Sequence, residues 1–474
     1  MPASNQSALE QVFSKFPAPY WSAPGAALYL GDVRTCLREL PARSVHCMVT
    51  SPPYWGLRDY VTGVWEGGSA DCDHIESTAE QAHRWSTLGP TAAQRSAGDF
   101  SRMPPASNAA FKAGVRQYKS KCKKCGAKRI DQQIGAEPSP DCGTHGQARC
   151  GGCFVCSMVE VFAEVRRVLR DDGTLWLNLG DTFDNGQLLI PARVALALSA
   201  NGWKLVQDII WYAPNKMPES VTNRCTKSHE HILLLAKGND YYYDAAAIQE
   251  TAKSKYRSSD FIPNSAKDAV GDKSSATQAS RHGRSNEIVQ QDVNKRDVWI
   301  VPTQGYPGAH FAVYSPRLIT PCILAGTSEY GCCAACGKTY ERVVVRTGSV
   351  EGNGQLESRD RSFPSQRNGL PGSGSTLDGN IAQRETIGWR KMCGCQTDEV
   401  VPAVVLDPFV GSGTTVATSI ELGRAGVGID LSEVYLKENA IPRIEAAMNG
   451  ERVPRKPVIV AQTGTPPPPR QLRG

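Results

Sequence analysis

Short apolar runs alternate with amphipathic stretches along most of this chain, punctuated by Gly, Pro and Asp. Ala26–Leu30 reads as a strand ending at Gly31-Asp32, Arg34–Leu40 as a short helix, and His46–Val49 as a buried strand. Strand, helix and strand at this spacing make a parallel unit. Met158, Phe162, Val165 and Leu169 fall on one helical face with Val161 and Val168 beside them, and Gly173 is placed to stop that helix. Thr174–Leu179 reads as a buried strand ending in Gly180-Asp181. Pro191 suits the first turn of a helix reaching about Ala200, and Leu205–Tyr212 reads as a strand. Glu230–Ala236 and Tyr241–Asp244 flank Lys237-Gly238-Asn239-Asp240, a hairpin signal. Ser315-Pro316 caps a helix with Ile319, Cys322 and Ile323 on one face. Val404–Leu406 is a strand, followed by a helix to Leu422 that Gly423 stops. Ala425–Ile429 is a strand ending in Asp430, and Ser432 caps a last helix.

Two segments break this rhythm. Residues 61–157 and 328–398 are rich in Gly, Ser and Cys, with little apolar periodicity, and read as insertions. They divide the regular part into 26–60, 158–327 and 399–450. Residues 1–25 read as a loose arm and 451–474 as a flexible Pro-rich tail. Residues 251–296 are Ser-, Lys-, Gln- and Arg-rich. They read either as a disordered surface loop or as a nucleic-acid-facing segment within a wider recognition region of about 213–300. The 474 residues carry a net charge of +6, compatible with a polyanionic partner without requiring one. No apolar run is long enough to span a bilayer, and the N-terminus lacks the basic start and apolar core of a signal peptide, so a cytoplasmic location is expected.

The candidate chemistry begins where strand 46–49 runs into Thr50-Ser51-Pro52-Pro53-Tyr54-Trp55. Two prolines end the ladder and leave a stiff, extended loop at the carboxyl end of a strand, where open α/β sheets bind ligands. A nucleobase amine is a poor nucleophile because its lone pair is delocalised into the ring. The Ser51 hydroxyl and the Pro52 carbonyl could accept its N–H bonds and free that lone pair, while Pro53 stiffens the loop. Tyr54 offers a ring on which a flipped base can stack. Taken alone, the same residues also read as a surface Pro-Pro turn.

Asp407-Pro-Phe409-Val-Gly411-Ser-Gly413-Thr414-Thr415 follows a strand and opens a helix. Its glycines let backbone approach a ligand closely, and Asp430 ends the next strand, where an acid suits ribose hydroxyls. The full G-x-G-x-x-G of a pyrophosphate loop is absent, which favours S-adenosylmethionine over NAD.

Together, the Asp407–Thr415 and Thr50–Trp55 motifs resemble the amino-methyltransferases of DNA. The catalytic loop comes first and the cofactor loop near the C-terminus, the order of the beta group, a circular permutation of the usual methyltransferase chain. Tyr54–Tyr60, Leu175–Asp181, Thr226–Glu230 and Gly308–Phe311 are similar to stretches of phage and prophage enzymes of this kind. The resemblance implies an α/β, Rossmann-like fold with a mixed seven-stranded sheet, in which 404–406, 425–429, 26–30 and 46–49 are the first to fourth strands. It implies that Asp407, Phe409, Gly411, Gly413 and Thr414 line the cofactor site and that Asp430 holds the ribose. Asp32 would contact the adenine, and His310, Phe311 and Ser315 would meet the methionine part. It further implies transfer to an exocyclic amine of double-stranded DNA by base flipping, without a covalent cysteine intermediate. Ser-Pro-Pro-Tyr goes mostly with cytosine N4 in this family, with adenine N6 as the alternative. A homodimer and a restriction endonuclease partner are left open. A zinc-bearing DNA-binding protein with a retired methylase core is the alternative of another class, and RNA or protein amines are weaker alternatives as acceptors.

The sixteen cysteines cluster. In a reducing compartment, C-x-x-C and C-x-C pairs read as metal ligands before disulfides. Three sets have zinc-ligand spacing: Cys72 and His74 with Cys122 and Cys125; Cys142, Cys150, Cys153 and Cys156; and Cys333 and Cys336 with Cys393 and Cys395. The first and third resemble zinc ribbons. Reduced, unligated cysteines are the alternative. Cys36, Cys47, Cys225 and Cys322 read as small core or surface residues.

Overall fold

The computed structural model describes residues 11–56, 64–69, 71–72, 122, 124–130, 133–135, 137, 139–143, 150, 152–184, 186–216, 218–253, 290–304, 313–347 and 383–450. One mixed sheet of nine strands organises them. In chain order the strands are β1 (Trp21–Ala23), β2 (Ala26–Leu30), β3 (Val45–Thr50), β4 (Leu169–Leu179), β5 (Lys204–Tyr212), β6 (His229–Ala236), β7 (Val298–Ile300), β8 (Val404–Asp407) and β9 (Ala425–Asp430). Their order across the sheet is β1-β2-β9-β8-β3-β4-β6-β5-β7. From β2 to β4 all neighbours are parallel, β6 runs antiparallel between β4 and β5, and β1 is antiparallel to β2.

The expected seven strands are therefore nine. The two additions are three-residue strands, one at each edge, and β1 falls inside the N-terminal stretch expected to be a loose arm. Short edge strands limit the unpaired backbone that a sheet presents to other chains.

All six residues of β3 and all four of β8 are buried, as strands covered on both faces must be. Alternate residues go to opposite sides. Met48 and Leu406 join the cluster formed with α1 (Val33–Glu39), α2 (Phe154–Val168) and α3 (Ile190–Ala200). Cys47, Val49 and Val405 join the cluster under α4 (Pro316–Gly326). Helices α5 (Thr414–Glu421) and α6 (Ile441–Met448) pack with Ala26 and Leu28.

Two local expectations are overturned. Gly173 does not stop a helix: α2 ends at Val168, and Gly173 lies inside β4, where an added Cβ would come 2.8 Å from the His46 carbonyl oxygen. Tyr241–Asp244 is not a strand. The hairpin partner of β6 is β5, and the Asp244 side chain caps a short 3-10 turn instead. The cysteine-rich segments also reach further into the fold than separate insertions would. Ile134, Cys153, Phe154, Val155 and Cys156 belong to the main core. Cys332–Cys333 pairs with Val400–Val401, and Glu341–Thr347 pairs with Gln383–Arg390.

The connection after β3 leads to β4 on one side, and that after β8 leads to β9 on the other. The sheet's order thus reverses between β3 and β8, and the crevice beyond their carboxyl ends is where such sheets bind ligands.

Candidate active site

Strands β3 and β8 are parallel neighbours, with Met48 opposite Leu406. The Ser51-Pro52-Pro53-Tyr54 loop and the glycine loop therefore emerge side by side although some 350 residues separate them. Asp407 bolts them together. Its Oδ1 accepts from Thr50 Oγ1 at 2.6 Å and from the Phe409 amide at 3.0 Å; its Oδ2 accepts from Thr415 Oγ1 at 2.6 Å and Tyr314 Oη at 2.9 Å. Burial raises the pKa of this carboxyl despite those donors. Asp407 is buried and its oxygens are engaged, so its place is structural rather than on a cofactor.

Tyr54 is clamped through its hydroxyl. It donates to Glu230 Oε2 at 2.6 Å, and it accepts from Asn178 Nδ2 at 2.5 Å and Ser51 Oγ at 3.3 Å. Glu230 also accepts from Asn178 at 3.0 Å and from Lys216 Nζ at 2.9 Å. Burial, followed by the charge and hydrogen bond of Glu230, pushes the Tyr54 phenol well above its usual range, so it remains a donor. The ring passes so close to Gly180 that a Cβ there would lie 2.5 Å from Cε2. Behind it, Asp181 accepts the amides of Thr182, Leu189 and Ile190 at 2.9, 3.1 and 2.8 Å, fixing the entry to α3. Lys227 Nζ donates to the Asp181 carbonyl at 2.5 Å.

The glycine loop needs its glycines. Gly411 has φ +47 and Gly413 +77, and a Cβ on Gly413 would sit 2.9 Å from Ala440 Cα. Asp430 accepts from the Gly411 amide at 2.9 Å and the Ser432 amide at 2.8 Å. Burial raises its pKa to about 6. Thr414 and Ser412 turn inward, where Arg443 donates to both at 2.6 and 3.1 Å. Phe409 is half-buried against the main core.

Asp32 follows β2, whose last residue Leu30 pairs with Asp430 at the end of β9. Its carboxylate caps α1 and grips Arg34 at 2.8 Å. Burial opposes its ionisation, but the bonds and charge of Arg34 win and hold it below the usual range. Ser315 is buried at the N-cap of α4, accepting from the Arg317 amide at 3.2 Å. His310 and Phe311 lie outside the described residues.

Asn178, Glu230, Lys216 and Tyr314 were not assigned from sequence. Their partners are 14 to 176 residues away, and no local spacing reports them. The one available signal was the resemblance of Leu175–Asp181 and Thr226–Glu230, which gave stretches without roles.

All three cysteine sets assemble. The sulfurs of Cys142, Cys150, Cys153 and Cys156 lie within 4.8 Å of one another, as do those of Cys333, Cys336, Cys393 and Cys395, and those of Cys72, Cys122 and Cys125. His74 lies outside the described residues. Sulfur–sulfur separations of 3.7 Å for Cys72–Cys122 and 3.6 Å for Cys142–Cys156 are near the ~3.8 Å edge of a tetrahedron with zinc–sulfur bonds of about 2.3 Å. They are far from the roughly 2.05 Å of a disulfide. Cys36, Cys47 and Cys322 are buried and Cys225 exposed, as expected.

Residues 149–334 and 399–441 match the family profile described as DNA methylase, of the N6 and N4 type. The chain is 31% identical over 333 residues to the type II methyltransferase M.Cfr9I of Citrobacter freundii, covering 64% of this chain and 73% of that protein. It is 28% identical over 438 residues to M.SmaI of Serratia marcescens, covering 86% and 87%. The solved PvuII DNA methyltransferase (cytosine-N4-specific) aligns over 92% of this chain and 96% of its own at 12% identity and a TM-score of 0.41, too loose a likeness to carry weight. With this profile match, and with nearly a third of positions shared over most of a relative's length, the chain belongs to the N6/N4 DNA methylase family, the DNA amino-methyltransferases.

Proposed function

We propose that this chain transfers the methyl group of S-adenosylmethionine to the exocyclic N4 amine of cytosine in double-stranded DNA. The observation that carries this reading is the junction of the Ser51–Tyr54 loop and the glycine loop on adjacent strands, bolted by Asp407.

The residues present fit the cofactor. Gly411 and Gly413 give the loop its left-handed backbone, and Asp430, half-buried and met by two amides, has lone pairs for ribose hydroxyls. When bound, S-adenosylmethionine supplies an electrophilic methyl on a sulfonium. Asp32 is proposed for the adenine, and His310 and Phe311 for the methionine part. Ser315 and Thr414 would act by shaping the site, since their hydroxyls are already engaged.

The chain's own work is on the base. Ser51 Oγ and the Pro52 carbonyl accept the two amine N–H bonds and draw the nitrogen towards a tetrahedral geometry. The prolines hold those acceptors in place, so little reorganisation is needed. Tyr54, fixed at its hydroxyl by Glu230 and Asn178, presents its ring for stacking on a flipped base. The methylated amine is a strong acid and sheds its proton without a strong base. Ser51 favours cytosine; adenine N6 is the second reading.

The chain order corresponds to a circular permutation in which β8 is the first strand. The cysteine sets are proposed to hold structural zinc, since protein would fill all four positions of each. Sequence recognition is assigned to 213–300 and the cysteine-rich segments.

Labelled-methyl transfer compared among double-stranded DNA, RNA and protein tests the reading. Ser51→Ala should lower transfer to DNA while cofactor affinity stays put. Equal loss of both would mean that Ser51 serves the cofactor rather than the base.

A further inference from the structure

The catalytic loop is held from outside by a short stretch of the first cysteine-rich segment. The Gly56 amide donates to the Gly135 carbonyl at 2.9 Å, and Trp55 Nε1 donates to the Glu137 carbonyl at 2.9 Å. Gly135 has φ +96 and lies so close that a Cβ would sit 3.0 Å from the Tyr54 carbonyl oxygen and 3.4 Å from Pro53. Glu137 Oε2 in turn accepts from the Gly135 amide at 2.8 Å.

The same stretch continues directly into the second cysteine set. The carbonyls of Ser139 and Pro140 accept the amides of Phe154 and Val155 at 3.0 and 3.2 Å, satisfying first-turn donors of α2. Asp141 pairs with Arg193 of α3. Cys142 follows, and Cys153 is the N-cap of α2, its sulfur accepting from the Cys156 amide. Among the described residues of 133–143, Ile134 is the one buried aliphatic side chain. Apolar burial therefore does little to order this stretch. A structural metal site contributes on the order of 10 kcal/mol.

The Cys333–Cys395 set is attached elsewhere. The Gly337 carbonyl, next to Cys336, accepts from His46 at 2.9 Å, and the Cys336 carbonyl accepts from Arg170 at 3.0 Å. His46 and Arg170 lie at the amino ends of β3 and β4, away from the catalytic loop.

We propose that a zinc ion held by Cys142, Cys150, Cys153 and Cys156 positions the catalytic loop, by fixing Gly135, Glu137 and Ser139–Asp141 between helix α2 and Ser51–Gly56. The catalytic consequence rests on the methyltransferase reading; the metal site and the clip do not. The four sulfurs are positioning ligands. None touches the base or the cofactor, and no bond changes at the metal.

The test uses the full chain and its Cys150→Ser variant, Cys150 being exposed and free of core packing. Bound zinc is counted by plasma mass spectrometry, amide exchange is followed in the peptide covering 51–56, and cofactor affinity is measured by calorimetry. The variant should carry one zinc fewer. Exchange at Gly56 should be roughly tenfold faster or more, while cofactor affinity stays within about twofold. Gly135→Ala should keep every zinc and show the same loss of protection, because it disturbs the clip directly. Should Cys150→Ser fail to fold, stepwise chelation of the unsubstituted chain replaces it, with exchange at 51–56 tracking the zinc removed.

An unchanged zinc count in Cys150→Ser, or one zinc fewer with unchanged exchange at 51–56, overturns the proposal. A protein that moves no methyl onto DNA, yet shows the stated zinc loss and exchange, would leave the clip standing and sink the enzymatic reading instead.

Discussion

Replacing Glu230 by glutamine tests whether the Tyr54 anchor sets the geometry of the catalytic loop. Glu230 Oε2 takes hydrogen bonds from Tyr54 at 2.6 Å and Asn178 at 3.0 Å, and Oε1 pairs with Lys216 at 2.9 Å. A hydrogen bond to a charged acceptor contributes about 1.5–3 kcal/mol and a neutral one about 0.5–1.5 kcal/mol, so the Tyr54 contact weakens by about 1 kcal/mol. The Lys216 pair is 29% exposed on the lysine side and 15% on the glutamate side, and solvent screening leaves it below about 1 kcal/mol. The sum is about 1–2 kcal/mol, or roughly 5- to 30-fold in kcat when the clamped ring is the surface on which the base stacks. Tritiated-methyl transfer to DNA under saturating cofactor reads this directly. In a Tyr54→Phe background the hydroxyl is already gone, so Glu230→Gln should then cost far less. An equal fall in both backgrounds, or none in the first, refutes the anchor.

Asp430 gives a pH signature. Its pKa is raised to about 6 by burial, so the acid form is favoured in the fold and stability is lost as pH rises from the ordinary carboxylate range through 6. Ribose hydroxyls need the carboxylate, so calorimetric cofactor affinity should weaken below pH 6 by up to roughly tenfold per unit, and a flat profile contradicts the assignment. Gly413→Ala forces a left-handed alanine, costing about 1–2 kcal/mol, into a Cβ contact of 2.9 Å with Ala440; cofactor affinity should fall more than thermal stability does. Gly180→Ala drives a methyl to 2.5 Å from Tyr54 Cε2, so methyl transfer should drop while cofactor affinity holds; loss of both would place Tyr54 on the cofactor.

Where the chain carried its own punctuation, the sequence was legible. Strands 26–30 and 45–50, the Ser315-Pro316 cap and the stop at Gly423 lie where apolar runs, Pro and Gly put them. The three cysteine sets were readable because thiol spacing constrains geometry more tightly than helix or strand propensity does. Gly173 misled because glycine also serves where backbones approach closely inside a sheet, and here the His46 carbonyl is that neighbour. The Lys237–Asp240 turn looked like a hairpin, but β6 has both sides already occupied by β4 and β5. Asp407 sat in a cofactor motif and reads there as a ligand. Its burial among Thr50, Tyr314 and Thr415 depends on partners up to 357 residues distant, which no local pattern records.

Transfer to cytosine N4 by a loop headed by Ser51 leaves a product that can be weighed. DNA methylated by the purified chain, digested to nucleosides and weighed, tests it most directly. N4-methyldeoxycytidine is the predicted product, reduced when Ser51 is replaced by alanine. N6-methyldeoxyadenosine as the product would contradict the choice of base, and no methylated nucleoside at all would contradict the enzyme.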